Sequence, residues 1–350
     1  MTITFRSFSK LLLILLLSLQ FANAMANTGK AIIIKGTAVI NDAELSSGST
    51  IKEGDIIKTG ANGSVKIIMK DRTVLDIGEN TRFELSEYSY SKETPAKNKS
   101  IFKLLGAKGA VRLKGAFRYI SGLIAKNRPQ NVQVAVGTAT IGVRGSFDSI
   151  SFDGTTITVK VSIGTAIFTF ANGESVTIAS GKTGVFDIST GQSSVEDHTT
   201  SPDPVAQAAK DIAQNPDDAT NVEQALSNLG DADAIVAMAA LINNAAQLNV
   251  DDSALILAIG HAAAAKPSLA AILAYVSSAL SPDNSQSFID AISEAVPYQA
   301  DAIQDAGDQG TNLGQPPGIT YKTDSRTYIG KDGAGGKGSS GGPPVSPFSP

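Results

Sequence analysis

The chain has 350 residues, which is enough for two or three domains, and it contains no cysteine and no tryptophan. Without cysteine it cannot form disulfides, cysteine-ligated metal sites, a thiol nucleophile or a lipid-modified cysteine. The net charge of −4 conceals an asymmetry, because residues 27–195 carry 21 basic and 14 acidic side chains whereas residues 202–310 carry 2 and 15. This difference predicts two domains with different surfaces.

Residues 1–26 have the pattern of a secretory signal peptide. Arg6 and Lys10 precede the apolar run LLLILLLSL, and alanines follow at the positions that a signal peptidase prefers. The run is shorter than the ~20 apolar residues of a membrane-spanning helix, although an uncleaved anchor is the alternative. We expect cleavage after Ala24 or Ala26. The mature protein is then soluble and exported, without a transmembrane segment, to the periplasm, the cell surface or the extracellular space.

Residues 27–195 show the alternation of polar and apolar residues that is typical of half-buried strands. In SVKIIMK, for example, Val65, Ile67 and Met69 fall on one face of a strand and Lys66 and Lys70 on the other. Many short segments of this kind are separated by Gly, Asn and Asp, which predicts an all-β domain built as a twisted β-solenoid or a sandwich-like array. The segment GAFRYISGLIAK instead has apolar residues at helical spacing, which predicts a short helix.

Residues 203–310 are rich in alanine, with leucine and isoleucine at helical intervals. Pro267, Pro282 and Pro297 lie 15 residues apart, and proline is well tolerated in the first turn of a helix. The spacing predicts repeated helices of about three turns, each too short to be stable alone. They therefore stack on their neighbours in a small all-α domain.

The segments around the helical domain, and the few groups that could support catalysis, give weaker signals. Residues 196–202 form a predicted linker, and residues 311–350, rich in Gly, Pro and Ser, form a predicted disordered tail. His198 and His261 are far apart in the chain, which argues against a metal site or a histidine-based triad. Acidic pairs precede predicted helices, where they cap free N–H groups. We therefore predict no catalytic residue, no metal and no cofactor.

The segment from Lys97 to Arg128 contains nine basic residues and no acidic residue. In an exported protein such a segment predicts an interaction surface for another envelope or extracellular protein, or for an anionic envelope polymer, and not for nucleic acid. A solvated strand edge is the alternative. We also expect the acidic helices to dock on this surface, at least transiently. The residues of this predicted basic surface are Lys103, Lys108, Arg112, Lys114, Arg118, Lys126 and Arg128.

The stretch GTATIGVRGSFDSI contains an arginine between glycines. It differs from a P-loop, because Val143 and Arg144 follow Gly142 where that motif has Lys and then Ser or Thr, and no helix follows. We expect a structural turn at Gly142, Arg144 and Gly145. The glycines adopt conformations that other residues resist, and the buried guanidinium pairs with carbonyls or a carboxylate. A ligand contact is the alternative.

Several ordered motifs resemble the FecR domain. They are LSSGSTIKEGDIIKTGANGSVKIIMKDRTVLDIGENTRFEL, FKLLGAKGAVRLKGAFRYISGLIAK, VQVAVGTATIGVRGSFDSI and VSIGTAIFTFANGESVTIASGKTGVFD, which together cover about residues 31–190. The best-known members are inner-membrane regulators that relay an outer-membrane transporter's signal to a cytoplasmic sigma factor. This chain has a signal peptide in place of their cytoplasmic segment and membrane helix. The resemblance thus implies an exported interaction module and supplies no catalytic residues.

Taken together, the sequence predicts an α+β multidomain protein, with a FecR-like all-β domain at 27–195 followed by the helical domain and tail. We expect a non-enzymatic module for interaction, sensing or envelope organisation, without a cytoplasmic anti-sigma segment. Two alternatives remain open: an enzyme that acts on envelope polymers through Asp and Glu pairs, and an accessory subunit of a transport or secretion system.

Overall fold

The computed structural model describes residues 28–105, 115–197 and 202–317. The predicted signal peptide, the tail from residue 318 onward and His198 lie outside the described residues. Three members of the predicted basic surface, Lys108, Arg112 and Lys114, also lie outside them. The described chain forms a β domain followed by a helical domain, which confirms the predicted fold class.

The β domain contains sixteen strands among the described residues, all connected in one sheet. The strands are β1 (Gly29–Lys35), β2 (Ala38–Ile40), β3 (Ala43–Glu44), β4 (Thr50–Ile51), β5 (Ile56–Thr59), β6 (Ser64–Met69), β7 (Val74–Ile77), β8 (Arg82–Ser89), β9 (Lys99–Leu105), β10 (Gly115–Ile120), β11 (Val132–Val136), β12 (Ala139–Phe152), β13 (Thr156–Thr169), β14 (Ser175–Ala179), β15 (Lys182–Asp187) and β16 (Ser193–Asp197). The main path follows the order β3-β2-β5-β8-β9-β11-β12-β10-β7-β6-β1-β4, while β13 joins β12 to β14 and β15, and β15 pairs with β16.

The two long strands β12 and β13 divide this sheet into two layers. The first part of β12 pairs with β11 and its second part pairs with β10, and the register shifts between Arg144 and Phe147. The last part of β13 likewise pairs with β14, and its first part pairs with β15. We call the strands β3, β2, β5, β8, β9, β11 and β14, with the adjoining parts of β12 and β13, the open layer. The remaining strands form the covered layer.

Aromatic rings fill the space between the two layers. Phe83 of the open layer lies 5.3 Å, centroid to centroid, from Phe117 of the covered layer, in an edge-to-face contact. Phe168 and Phe186 stack across the layers with their ring centroids 3.7 Å apart. Large aromatic side chains contribute strongly to a core because each buries ~150–250 Å². The domain is therefore sandwich-like, with its core made from the inward-facing residues of both layers.

The helical domain covers much of the outer face of the covered layer, although the outward side chains of β15 and β16 stay exposed or half-exposed. Ile68, Val74, Ile120 and Phe147 point outward from their strands and share one hydrophobic core with the helices. For this reason β10 is buried on both faces. The segment GAFRYISGLIAK, for which a short helix was predicted, contains both kinds of element: its first six residues form β10, and the short helix α1 (Leu123–Asn127) begins within it.

The helical domain is a two-row array. Its helices are α2 (Pro204–Gln214), α3 (Ala219–Ser227), α4 (Asp231–Asn244), α5 (Asp252–Ala265), α6 (Ala270–Leu280), α7 (Ser285–Ala295) and α8 (Ala300–Thr311). Alternate helices pack against each other, so α2, α4, α6 and α8 form one row and α3, α5 and α7 form the other. The helices α2 and α4 contact the covered layer.

The regularly spaced prolines mark the starts of repeated units, as the sequence predicted. Pro267, Pro282 and Pro297 each open a short 3-10 turn that leads directly into α6, α7 or α8. A missing N–H is harmless at this position, since the first N–H groups of a helix have no partner within it. Within the described ranges no single helix is long and apolar enough to cross a membrane; the pair Asp252–Ala265 and Pro267–Leu280 meets that test together but is bent by 115°.

Candidate functional sites

Arg118 lies at the centre of a buried charge cluster between the two domains. It points outward from β10 toward the helices and is completely buried. Its strand neighbours are Asp76 on β7 and Ser149 on β12. The Arg118 Nη1 atom donates a hydrogen bond to Oδ2 of Asp76 at 2.7 Å. The β domain thus provides one carboxylate for the guanidinium from its own sheet.

The helical domain provides two more carboxylates, both at helix N-termini. Asp203 caps α2, since its Oδ1 accepts hydrogen bonds from the backbone N–H groups of Val205 and Ala206. Its Oδ2 accepts from Nε of Arg118 at 2.9 Å and from Oγ of Ser149 at 2.7 Å. Asp233, in the first turn of α4, accepts from Nη1 of Arg118 at 3.1 Å. One arginine therefore binds the starts of two helices to the sheet.

Lys66 completes the cluster on the neighbouring strand β6. Its Nζ atom donates to Oδ1 of Asp76 and lies 3.8 Å from Oδ1 of Asp233. Burial by itself would raise the pKa of Asp76, but the charges of Lys66 and Arg118 hold that pKa below its usual value. Burial would likewise lower the pKa of Arg118, but Asp203, Asp76 and Asp233 together raise it. Asp76 and Arg118 are therefore both charged at neutral pH.

The contact between the domains differs from the expected transient docking on the 97–128 surface. The helices pack on the covered layer through a shared apolar core and the Arg118 cluster. Two further side-chain amides join the domains, from Asn243 Nδ2 to the carbonyl of Arg72 and from Gln247 Nε2 to the carbonyl of Gly145, each at 2.7 Å. The attraction between a basic and an acidic half is concentrated in a few buried pairs.

Arg144 and its glycines lie where the long strands bend from one layer to the other. Gly145 has a φ of +55° and Gly164, on the adjoining strand, a φ of +80°. A Cβ atom on Gly164 would lie 2.3 Å from the carbonyl oxygen of Gly145, so the close crossing of these strands requires glycine. Gly142 lies before the bend, in the part of β12 that pairs with β11.

The Arg144 side chain itself is exposed, whereas we expected a buried guanidinium paired with carbonyls or a carboxylate. Among the described residues it forms no ion pair with a carboxylate. The outward direction follows from the alternation of β12, and at this position an open cleft separates the sheet from the helices. Arg118, a member of the predicted basic surface, is instead the buried and ion-paired arginine.

Arg144 lines an open cleft between the domains. The cleft has a volume of about 430 Å³. It is bounded by α1, by the bend of β12 and by the end of α4 with the turn that follows. Its lining residues are Ala125, Lys126, Pro129, Arg144, Gly145, Asn243, Ala246 and Gln247.

The described members of the predicted basic surface are not brought together. Lys103 lies on the outer face of the open layer, where its Nζ atom is 3.4 Å from Oε1 of Glu84. Arg118 is buried between the domains. Lys126 belongs to α1 and lines the cleft, and Arg128 follows the same helix. Strand alternation and the turn to α1 thus send neighbouring basic residues to different parts of the molecule.

Two buried aspartates were not identified from the sequence. Asp71, in the turn between β6 and β7, accepts hydrogen bonds from the hydroxyls of Thr73 at 2.7 Å and Tyr88 at 3.2 Å. Its Oδ2 also accepts from the backbone N–H of Ile124 at 3.4 Å, which ties the turn to α1. Burial raises the pKa of Asp71 although these hydrogen bonds oppose the rise.

Asp148 is the second buried aspartate and points into the sandwich beside Tyr119, its partner in strand register. Ser146 donates a hydrogen bond to its Oδ2, and its Oδ1 has no partner among the described residues. Burial raises the pKa of Asp148 to about 8. Its inward position in the alternation of β12 was the available signal in the sequence. Among the described residues, no group of three or more His, Cys, Asp or Glu side chains is placed to hold a metal ion.

Residues 55–167 match the model of the family described as FecR protein. The chain carries a FecR segment. This confirms the resemblance seen in the sequence, over less than half of the chain. The FecR segment extends from the start of β5 to near the end of β13, so it contains Lys66, Asp76, Arg118 and the bend. Asp203 and Asp233 lie outside it.

Two solved structures were also similar to part of the chain. Both are crystal structures of a "putative anti-sigma factor" from Parabacteroides distasonis, at TM-scores of 0.33 and sequence identities of 10% and 12%. The similarity covers 44% and 45% of this chain and 63% and 64% of those chains, which is less than two thirds of their length. No curated protein matched the chain. The FecR segment supports a signalling or sensing role, and FecR proteins are in general not enzymes.

Proposed function

We propose that this protein is an exported, non-enzymatic interaction module of a signalling or sensing system, and that the open layer of its β domain is the face that binds the partner. The FecR segment supports the signalling role. The observation that carries the proposal is the contrast between the layers. The helical domain covers much of the outer face of one layer, apart from β15 and β16, whereas the side chains on the outer face of the other are exposed or half-exposed.

The composition of the outer face of the open layer suits a surface that binds a partner and is exposed to water in the free protein. Its outward residues are mixed: Lys99 and Lys103 on β9 and Gln133 on the adjoining strand β11 are polar, whereas Ile101 on β9 is apolar and Glu84 on β8 is acidic. The Lys99 Nζ atom lies 2.7 Å from Oε2 of Glu87 in an exposed pair. Exposed pairs of this kind contribute little to stability, so a partner can replace them at low cost. The expected partner is an envelope or extracellular protein.

Site-specific photo-crosslinking in the native host tests this assignment. A photoreactive amino acid at Gln133 samples the open layer, and the same amino acid at the exposed Glu294 of α7 samples the helical array. We expect one defined protein to be crosslinked from position 133 and not from position 294, and Lys103→Glu to reduce that crosslink. Crosslinking of the same protein from position 294 alone would place the interaction on the helices and overturn the proposal.

Export is tested separately by intact-mass analysis of envelope protein. We expect a mature chain that begins at Met25 or Asn27, in agreement with the small residues that precede these positions. A full-length chain that requires detergent for extraction would support the uncleaved anchor instead. In that case the proposal of a soluble exported module fails, whatever the crosslinking shows.

A further inference from the structure

The cleft between the domains has fixed walls. Gln247, in the turn after α4, donates from Nε2 to the carbonyl oxygen of Gly145 at 2.7 Å and so fastens one wall to the bend of β12. Asn243 donates from Nδ2 to the carbonyl oxygen of Arg72 at 2.7 Å and fastens the same helix end to the turn between β6 and β7. Both walls thus belong to the rigid contact between the domains, which preorganises the cleft for a ligand.

Positive charge dominates this cleft. Lys126 and Arg144 line it, and within the described part of the chain neither forms an ion pair with a carboxylate. Loss of hydration lowers the pKa of Lys126, and the nearby Arg72 lowers it further, while Asp71 opposes the change. The Asp71 carboxyl group is itself engaged by hydrogen bonds from the hydroxyls of Thr73 and Tyr88. Lys126 and Arg144 thus line one cleft, and Arg72 adds positive charge near Lys126.

Like charges that line one cleft repel each other in the free protein and are stabilised by an anion. A guanidinium offers donors in a planar fork that fits the oxygens of phosphate, and a lysine ammonium adds a mobile point charge. A phosphate monoester carries a charge of about −1.5 to −2 and three acceptor oxygens. It can therefore bind several cations at once, and it matches this cleft better than a carboxylate ligand would. The volume of about 430 Å³ also lies in the range of small-molecule sites, ~300–1,000 Å³.

We propose that this cleft is a binding site for the phosphate group of a small ligand, held by Arg144 and Lys126 with Arg72 contributing charge from the side. Such a ligand touches α1, the bend of β12 and the end of α4 at once. It therefore binds only when the two domains are docked, and its binding stabilises the docked arrangement. This site is independent of the partner surface on the open layer.

Calorimetric titration of the mature protein with inorganic phosphate, at constant ionic strength against chloride, tests the site. We expect saturable binding and, in NMR spectra, shifts of the Gly145 backbone amide and the Gln247 side-chain amide. Arg144→Gln and Lys126→Gln should each weaken binding by about tenfold or more, as expected for loss of a hydrogen bond to a charged group. Both side chains are exposed, so these variants should unfold at the temperature of the wild type, which the same samples can show.

Lys103→Gln is the matched control, because it removes one basic charge from the open layer and leaves the cleft intact. It should bind phosphate as the wild type does. An equal loss in this control, or binding by the double variant Arg144→Gln/Lys126→Gln as tight as by the wild type, would overturn the proposal. Two further probes distinguish the source of the phosphate group. Tighter binding of glycerol phosphate indicates a soluble ligand, whereas tighter binding of vesicles that contain phosphatidic acid indicates a lipid headgroup.

Discussion

The two layers of the β domain follow the same alternation but place their basic side chains in opposite environments. Lys103, outward on β9 of the open layer, is half-exposed, whereas Arg118, outward on β10 of the covered layer, is fully buried. Lys66, on β6 of the covered layer, is buried as well. Strand geometry decides only to which face a side chain points. Whether that face contacts water or protein depends on the helical domain, whose first helix begins only at Pro204.

The covered layer accepts its charges because the helices bring matching groups. A buried charge is very costly unless it is paired and hydrogen-bonded. Asp203 and Asp233 provide these pairs from two helix N-termini, where carboxylates are already favourable. Since an apolar interface of the same size could be as stable, we interpret the cluster as a device that specifies how the helices dock on the sheet.

The strongest test of this contrast is Arg118→Met. The variant leaves Asp203 buried without Arg118 and Asp76 with Lys66 alone, and loss of one partner of a buried pair typically costs ~3–5 kcal/mol of unfolding free energy. Urea unfolding of the mature protein measures this value. Lys103→Met is the matched change in the open layer, and we expect an effect within ~0.5 kcal/mol. Similar losses for both variants would show that the layers do not differ energetically.

A second test uses the pH dependence of Asp148. Its folded pKa, about 8, lies above the unfolded value, so its carboxyl stays protonated only in the folded chain between these two values. The folded state therefore loses up to about 1.4 kcal/mol of stability from this group for each pH unit from ~4 to ~8. In Asp148→Asn this decline should disappear, so the variant gains stability over the wild type as pH rises. Parallel stability curves from pH 5 to 8 would contradict the buried, protonated state of Asp148.

The bend that joins the layers is tested by Gly164→Ala. The new methyl group would meet the carbonyl of Gly145 and would also force an L-residue into a left-handed conformation, which alone costs ~1–2 kcal/mol. Gly173→Ala, in the hairpin between β13 and β14, has a similar φ of +89° but open space around it. We expect the loss at Gly164 to exceed that at Gly173 in thermal unfolding. Equal losses would mean that the strand crossing tolerates a side chain.

The smallest effect is expected for Arg144→Ala. An exposed side chain without an ion pair among the described residues should change the unfolding free energy by no more than ~0.5 kcal/mol. Chemical denaturation beside the Arg118 variant compares the two arginines directly. A loss of several kcal/mol would instead support the structural role predicted from its glycine-rich context, in which the Arg144 guanidinium is buried and paired.

Much of the fold could be predicted because its signals are local. The alternation of SVKIIMK places Val65, Ile67 and Met69 in the core, as the structure does. The prolines at 267, 282 and 297 mark helix starts for the steric reason expected. The strand β10 was missed because helices bury its outward face as well, so Ala116 and Ile120 are apolar there and the period of two is obscured.

The sites were harder to predict because they depend on distant pairings. Arg118 and Asp203 are separated by 85 residues, and Lys126 and Gln247 line the same cleft from different domains. Basic residues of the segment 97–128 lie in the open layer, in the buried cluster and in the cleft. No periodicity in the sequence predicts which of these three places each residue occupies.

The sequence by itself determined the order of a β domain and a helical domain, the FecR motifs, the excess of positive charge in one half and of negative charge in the other, and the glycines at the bend. These properties follow from local backbone preferences and from composition. Only the tertiary structure decided that the helices cover one layer of the sandwich. That contact turns Arg118 from a surface residue into the centre of a buried cluster and leaves Arg144 exposed, because the energy of a charge is set by the solvent and counter-charges that surround it.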